Sequence, residues 1–124
     1  MKLNKSKEDY LEAVLILKNT NKCVRSIDVA NYLNFSRASV SIAMKKLRED
    51  GYILFDDDGV ISLTKEGREI AINTLEKHKF ITNWLKEIGV SDEEAENTAC
   101  LVEHSISDEV FKLMKNRYKE FENK

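Results

Sequence analysis

Ser36-Arg37-Ala38-Ser39-Val40-Ser41-Ile42-Ala43-Met44-Lys45-Lys46-Leu47-Arg48 is the stretch on which the reading of this chain turns. Gly51 follows it, then Tyr52-Ile53-Leu54-Phe55, Asp56-Asp57-Asp58-Gly59 and Val60-Ile61-Ser62-Leu63. Ser36 is a helix-capping residue and Gly51 a helix stop, which predicts a helix from Arg37 to about Asp50. Val40, Ala43, Met44 and Leu47 recur at helical spacing and form its buried face. Arg37, Ser39, Ser41, Lys45, Lys46 and Arg48 lie mostly elsewhere on its surface. The two short apolar runs around Asp58-Gly59 predict a tight hairpin. A hairpin directly behind such a helix is a wing.

Upstream, Ser6-Lys7-Glu8-Asp9 matches a capping box, with Asp9 at the third helical position. The helix it opens carries Tyr10, Leu11, Val14, Leu15 and Leu17 and ends near Lys18–Asn21. Ser26 is expected to cap a short helix with Ile27, Val29, Ala30 and Leu33. Asn34 and Phe35 then form a tight turn. Helix, compact turn, helix is the pattern that places the second helix in a major groove. Arg37 is placed for base contact, Ser39 and Ser41 for bases or phosphates, and Lys45, Lys46 and Arg48 for the backbone. The three aspartates of the wing tip would meet phosphates unfavourably.

Downstream, Thr64 is expected to cap a long helix with Gly67 in its first turn and Gly89 as its stop. Its stripe includes Ile70, Ala71, Leu75, Phe80, Ile81, Trp84, Leu85 and Ile88. Ser91 caps a further helix carrying Ala95, Ala99, Leu101 and Val102. Ser107 caps a last one with Val110, Phe111, Met114, Tyr118 and Phe121. This is more apolar surface than a small wing domain needs, so part of it is expected to meet a second subunit.

Both histidines and one of the two cysteines, Cys23 and Cys100, fall in this second half. Cys100, Glu103 and His104 stand at i, i+3 and i+4, one face of a helix. Thiolate, carboxylate and imidazole together make a mixed donor set for a divalent metal. Glu103 and His104 interrupt an apolar run, and a carboxylate buried there needs a partner. His78 lies on the preceding helix stripe. Asp9 and Glu12 form a second i, i+3 pair near the N-terminus. Taken singly, each has an ordinary structural role: capping, surface or core. An enzyme is not expected, because a Cys/His pair without an oriented nucleophile and a cleft does not make a catalyst.

The formal charge of −2 excludes a globally basic nucleic-acid binder. Residues 1–64 hold ten of the 20 Lys/Arg and nine of the 22 Asp/Glu, leaving ten and thirteen for residues 65–124. The first half is therefore near neutral, and doubling the contacts through a dimer would supply affinity. Two cysteines make no disulfide framework, and no stretch approaches the length of a membrane span. A reduced, cytoplasmic location is expected. With no proline and four glycines, a long flexible linker is not.

Several separated motifs, in order, resemble the diphtheria-toxin-repressor family of metal-dependent transcription regulators, especially its short manganese-regulator branch. They are Glu8-Asp9-Tyr10-Leu11-Glu12, Val40 to Leu47, Leu63-Thr64-Lys65-Glu66-Gly67, His78, and Glu103-His104. The resemblance covers essentially the whole chain. It implies a mostly α fold: a winged helix-turn-helix with a two-stranded wing over residues 1–64, then a helical metal-binding and dimerisation domain over 65–124. Longer relatives add an SH3-like domain, which is not expected in this chain.

The implied function is a metal-dependent repressor of iron or manganese homeostasis genes. Divalent metal is the corepressor, and a homodimer grips a palindromic double-stranded operator. By position, Asp9, Cys100, Glu103 and His104 resemble one metal centre. Glu12 and His78 resemble contributors to a second, with Glu103 shared. At Cys100 the manganese branch resembles glutamate and the iron branch cysteine, whereas the iron branch usually has methionine where Asp9 stands. The hybrid favours Fe2+, then Mn2+, with Co2+, Ni2+ or Zn2+ as in vitro substitutes. The accessory histidine and glutamate of longer iron regulators are absent, with Thr82 and Glu96 in that neighbourhood. The rival expectation is a metal-independent winged-helix regulator whose second half only dimerises or senses another ligand.

Overall fold

The computed structural model describes residues 5–21 and 23–122, with the side chains of 5, 121 and 122 outside the description. Phe121, expected on the last apolar face, is among those side chains. The elements are α1 (Lys5–Thr20), α2 (Ser26–Leu33), α3 (Arg37–Glu49), β1 (Ile53–Phe55), β2 (Ile61–Leu63), α4 (Lys65–Glu87), α5 (Asp92–Val102), a single 3-10 turn (Glu103–Ser105) and α6 (Asp108–Glu122). They form two compact units, and the division falls inside α4, between Leu75 and Glu76. The architecture expected from the sequence, a winged helix-turn-helix followed by an all-helical domain, is the one observed. Among the described residues, no helix is long and apolar enough to cross a membrane.

In the first unit, Leu11, Val14, Val24, Val29, Val40, Met44, Leu47, Ile53 and Ile61 are buried together. They come from α1, α2, α3 and both strands at the spacing each element requires. Local signals set the joints. Ser36 Oγ accepts the Ser39 N–H at 3.1 Å, as a helix cap should. Asn34 adopts φ +60°, a left-handed conformation its short polar side chain tolerates, and so ends α2. Gly51 takes φ +86° after α3.

Two expected caps are displaced. Ser6 lies inside α1, which already includes Lys5, so it does not open that helix. The cap of α2 is Arg25 rather than Ser26. The carboxylate of Asp28, in the first turn, reaches back to accept the Arg25 N–H at 2.9 Å. That bond decides the boundary in place of a serine hydroxyl.

The hairpin pairs Ile53 with Leu63, Leu54 with Ser62 and Phe55 with Ile61. Asp56 Oδ1 accepts the N–H groups of Asp58 and Val60 at 2.8 and 2.9 Å. One of the three wing aspartates is thus part of the turn itself. Arg25 Nε donates to the Asp58 carbonyl at 3.1 Å, and Ile61 N–H to the Val24 carbonyl at 2.7 Å. The wing is therefore pinned to the segment before α2. Thr64 closes the unit: its N–H donates to the Tyr52 carbonyl and its hydroxyl to the Gly51 carbonyl.

In the second unit, Ile81, Ala95, Ala99 and Phe111 form the apolar core. The Phe80 ring meets those of Phe111 and Tyr118 edge to face, with centroids 5.6 and 5.4 Å apart. Ser91 caps α5 and Ser107 caps α6, each through its hydroxyl. Leu101 and Val102 are not on the covered stripe of α5; Leu101 is 67% exposed. Trp84, Ile88, Val110 and Leu113 also remain on the surface of the chain.

Candidate functional site

The polar centre of the second unit is built on Glu103. α5 stops at Val102, and the chain tightens into a 3-10 turn at Glu103–Ser105. Glu103, the C-cap of α5, keeps α-helical dihedrals and donates its N–H to the Ala99 carbonyl, so Cys100 and Glu103 share a face as their spacing suggested, and the backbone tightens from there on. Glu103 points inward, at 1% exposure, while Cys100 is exposed. An ionised carboxylate at that depth needs charged or hydrogen-bonding partners. Glu103 Oε2 lies 2.8 Å from His78 Nδ1, and Oε1 lies 3.2 Å from His104 Nε2. Cys100 Sγ is 3.8 Å from His78 Nδ1.

His78, Cys100 and Glu103 thus offer one ligand atom each, all within 4.8 Å of one another. Imidazole nitrogen, thiolate and carboxylate are the donors that first-row divalent metals take, and a cation would neutralise the buried carboxylate. The donor set fits a transition metal. Of the other three ligands named from sequence, His104 meets Glu103, and Asp9 and Glu12 stand one turn apart on α1 in the first unit, both half-buried.

The turn that aims Glu103 and His104 is itself held. Lys77 is buried at 6% exposure, and its Nζ donates to the Ile106 carbonyl at 2.7 Å and to Asp108 Oδ1 at 3.0 Å. One residue before His78, it fastens α4 to the chain just beyond the turn. Sequence reading missed Lys77, since a lone lysine in a helix carries no signal. It also gave no role to Glu96, whose Oε2 lies 2.9 Å from His78 Nε2.

On the first unit, α3 presents Arg37, Ser39, Lys45, Lys46 and Arg48 to solvent, with Ser41 half-buried. Two of these are engaged. Ser39 Oγ accepts from Ser36 Oγ at 2.8 Å, and Arg48 lies over the Phe55 ring, 5.6 Å from its centroid, on the first wing strand. Ile42, counted with neither the buried face nor the polar one, is 70% exposed on the same helix. The outward face of α3 is thus cationic with one large apolar side chain. That is the chemistry which meets phosphates and thymine methyl groups in a major groove.

Comparison with known proteins gives matches over both units. Residues 2–59 match the iron dependent repressor N-terminal DNA binding domain, and residues 64–124 the iron dependent repressor metal binding and dimerisation domain. An HTH-type transcriptional regulator of Methanocaldococcus jannaschii is 35% identical over 98% of this chain and 99% of its own length. The HTH-type transcriptional regulator MntR of Geobacillus kaustophilus is 31% identical over 82% of this chain and 72% of its own. The structure of the manganese regulator SloR superposes with a TM-score of 0.80 at 27% identity, covering 96% of this chain. The chain spans 55% of that protein.

Proposed function

Because the chain belongs to the diphtheria-toxin-repressor family of metal-dependent transcriptional regulators, close to its manganese-regulator branch, we propose that it is a metal-dependent repressor of iron or manganese homeostasis genes. It acts as a homodimer on a palindromic operator. The observation that carries the metal half of this reading is the buried Glu103 carboxylate, set between two imidazoles with a thiolate alongside. His78, Cys100 and Glu103 would hold one ion, and His104, on the other oxygen of Glu103, would serve a second centre that shares this carboxylate. Asp9 and Glu12 belong to the ligand set on the sequence resemblance alone. The exposed apolar residues of the second unit, Trp84, Ile88 and Leu113 among them, are the surface available to a second subunit.

When bound, the ion supplies positive charge. With the charge of Glu103 offset, the chain would favour one arrangement over others, and DNA binding would follow as a population shift. The thiolate of Cys100 is a soft donor and suits Fe2+ better than Mn2+. Operator binding is tested by fluorescence anisotropy under anaerobic, reducing conditions, after chelation and on readdition of Fe2+ or Mn2+. Strong stimulation by one ion supports the reading. Equal binding with and without metal supports the rival, a regulator whose second half only assembles or senses another ligand. In the same titration, Asp9→Ala and Glu12→Ala check the two α1 carboxylates. Cys100→Glu is expected to move the preference towards Mn2+, and an unchanged order of ions would sink the role given to the thiolate.

The DNA half rests on α3. Lys45→Ala is expected to weaken binding evenly across sequences and to lower the salt slope by about one. Ile42→Ala is expected to relax base preference, by about 1–3 kcal/mol at one position, and leave that slope unchanged. Identical salt and sequence profiles for the two variants would contradict this division of labour.

A further inference from the structure

α1 meets the recognition helix α3 at both of its ends. Lys7, Tyr10, Leu11 and Val14 stand at i, i+3, i+4 and i+7, one stripe of α1. Leu11 and Val14 share a core with Val40, Met44 and Leu47 of α3. Lys7 and Tyr10 extend the stripe beyond that core. The Lys7 ammonium donates to Asp50 Oδ2 at 3.1 Å, and Asp50 is the C-cap of α3. The Tyr10 ring meets that of Phe35 edge to face, with centroids 6.0 Å apart. Phe35 immediately precedes Ser36, the N-cap of α3. Two residues one turn apart on α1 thus touch the chain at opposite ends of a 13-residue helix.

Local rules do not account for either contact. A carboxylate at a helix C-terminus sits at the negative end of the helix dipole, where it is disfavoured. The Lys7 ammonium offsets that cost at Asp50. With side chains 25% and 37% exposed, the pair is screened less than one in open solvent. Phe35 is exposed, and the buried Tyr10 ring supports it from the α1 side. We propose that Lys7 and Tyr10 are positioning residues for DNA reading: by holding Asp50 and Phe35 they fix both ends of α3, so that the recognition helix follows α1 as one body. The proposal rests on the DNA reading of α3 above. Asp9 and Glu12 stand on the opposite face of α1, at 100° per residue. A displacement of α1 from that face is carried to both ends of α3 rather than to its middle alone.

The experiment compares wild type with Lys7→Met, Asp50→Asn, the double variant of these two, Lys7→Arg, Tyr10→Leu and Phe35→Leu. The wild type first selects a duplex from a random-sequence pool, anaerobically and in excess Fe2+ or Mn2+. Binding to that duplex and to a scrambled one is read by fluorescence anisotropy, beside thermal melting. A recognition helix held at one end only occupies other seatings, and apparent affinity falls with the fraction left competent. Lys7→Met, Asp50→Asn, Tyr10→Leu and Phe35→Leu are each expected to weaken binding to the selected duplex by about 3- to 10-fold, with little change on the scrambled one. Lys7→Met and Asp50→Asn alter the charge in opposite directions, so a plain charge effect would weaken one and strengthen the other. The double variant keeps the net charge of wild type and is expected to be no weaker than the single variants, since each partner acts only through the other. Lys7→Arg keeps the hold and binds as wild type does. Opposite shifts for the two charge variants, equal losses on both duplexes, or lower melting midpoints with unchanged selectivity overturn the proposal. Phe35→Leu removes the ring contact at an exposed site, so the test stands even where Tyr10→Leu folds poorly. A wild type that selects no duplex with either ion overturns the DNA reading, and the proposal falls with it.

Discussion

Glu103→Gln is expected to abolish metal-stimulated operator binding while leaving the helical content of the chain intact. The substitution keeps the volume of a side chain that is 1% exposed, so no cavity opens in the second unit. It removes the negative charge that His78 and His104 approach at 2.8 and 3.2 Å, and with it the anionic ligand of the cluster. Replacing residues that only support metal ligands commonly costs 10–100-fold in affinity, so loss of this carboxylate should cost about 100-fold or more. The measurement is metal titration by calorimetry beside anisotropy on operator DNA, with circular dichroism as the check on folding. Metal stimulation equal to wild type would remove Glu103 from the centre and leave its burial as a structural matter.

Gly67→Ala should unfold the junction between the wing and α4. Helix propensity argues the other way, since alanine in a helix is favoured over glycine by about 1 kcal/mol. Space decides against it. A Cβ at residue 67 would lie 2.0 Å from the Tyr52 carbonyl oxygen and 2.9 Å from its carbon. These are backbone atoms and cannot swing aside as a side chain would. The same carbonyl accepts the Thr64 N–H at 3.1 Å, so relieving the clash breaks a bond that holds the start of α4 to the chain after α3. Overpacking of this kind costs about 3 kcal/mol, enough to outweigh the propensity gain. The melting midpoint should fall by roughly 10 °C or more. A midpoint at or above that of wild type would refute the steric account.

The winged helix was legible in the sequence because its signals are local. Ser36, Gly51, Thr64 and Gly89 mark ends that the structure keeps, and the spacing of Val40, Met44 and Leu47 alone gives the buried face of α3. Where a distant or competing partner acts, local reading failed. Asp28 moved the α2 cap from Ser26 to Arg25. The 3-10 turn at Glu103–Ser105 has no marker of its own in the sequence. Ile42 looked like an ordinary helix residue because exposure depends on what the other elements leave uncovered.

The sequence by itself determined the kinds of elements, their order, and the donor types available to a metal: two imidazoles, a thiolate and carboxylates. Periodicity and capping need only neighbours along the chain, and chemistry needs only residue identity. The tertiary structure alone decided which atoms meet. It turned Glu103 inward and set His78 between Glu103 and Glu96. It also brought Lys77 onto the far side of the turn and Gly67 against Tyr52. Each of these contacts joins residues 15 or more positions apart in the chain. Their geometry depends on how helices pack, which no spacing within one segment encodes.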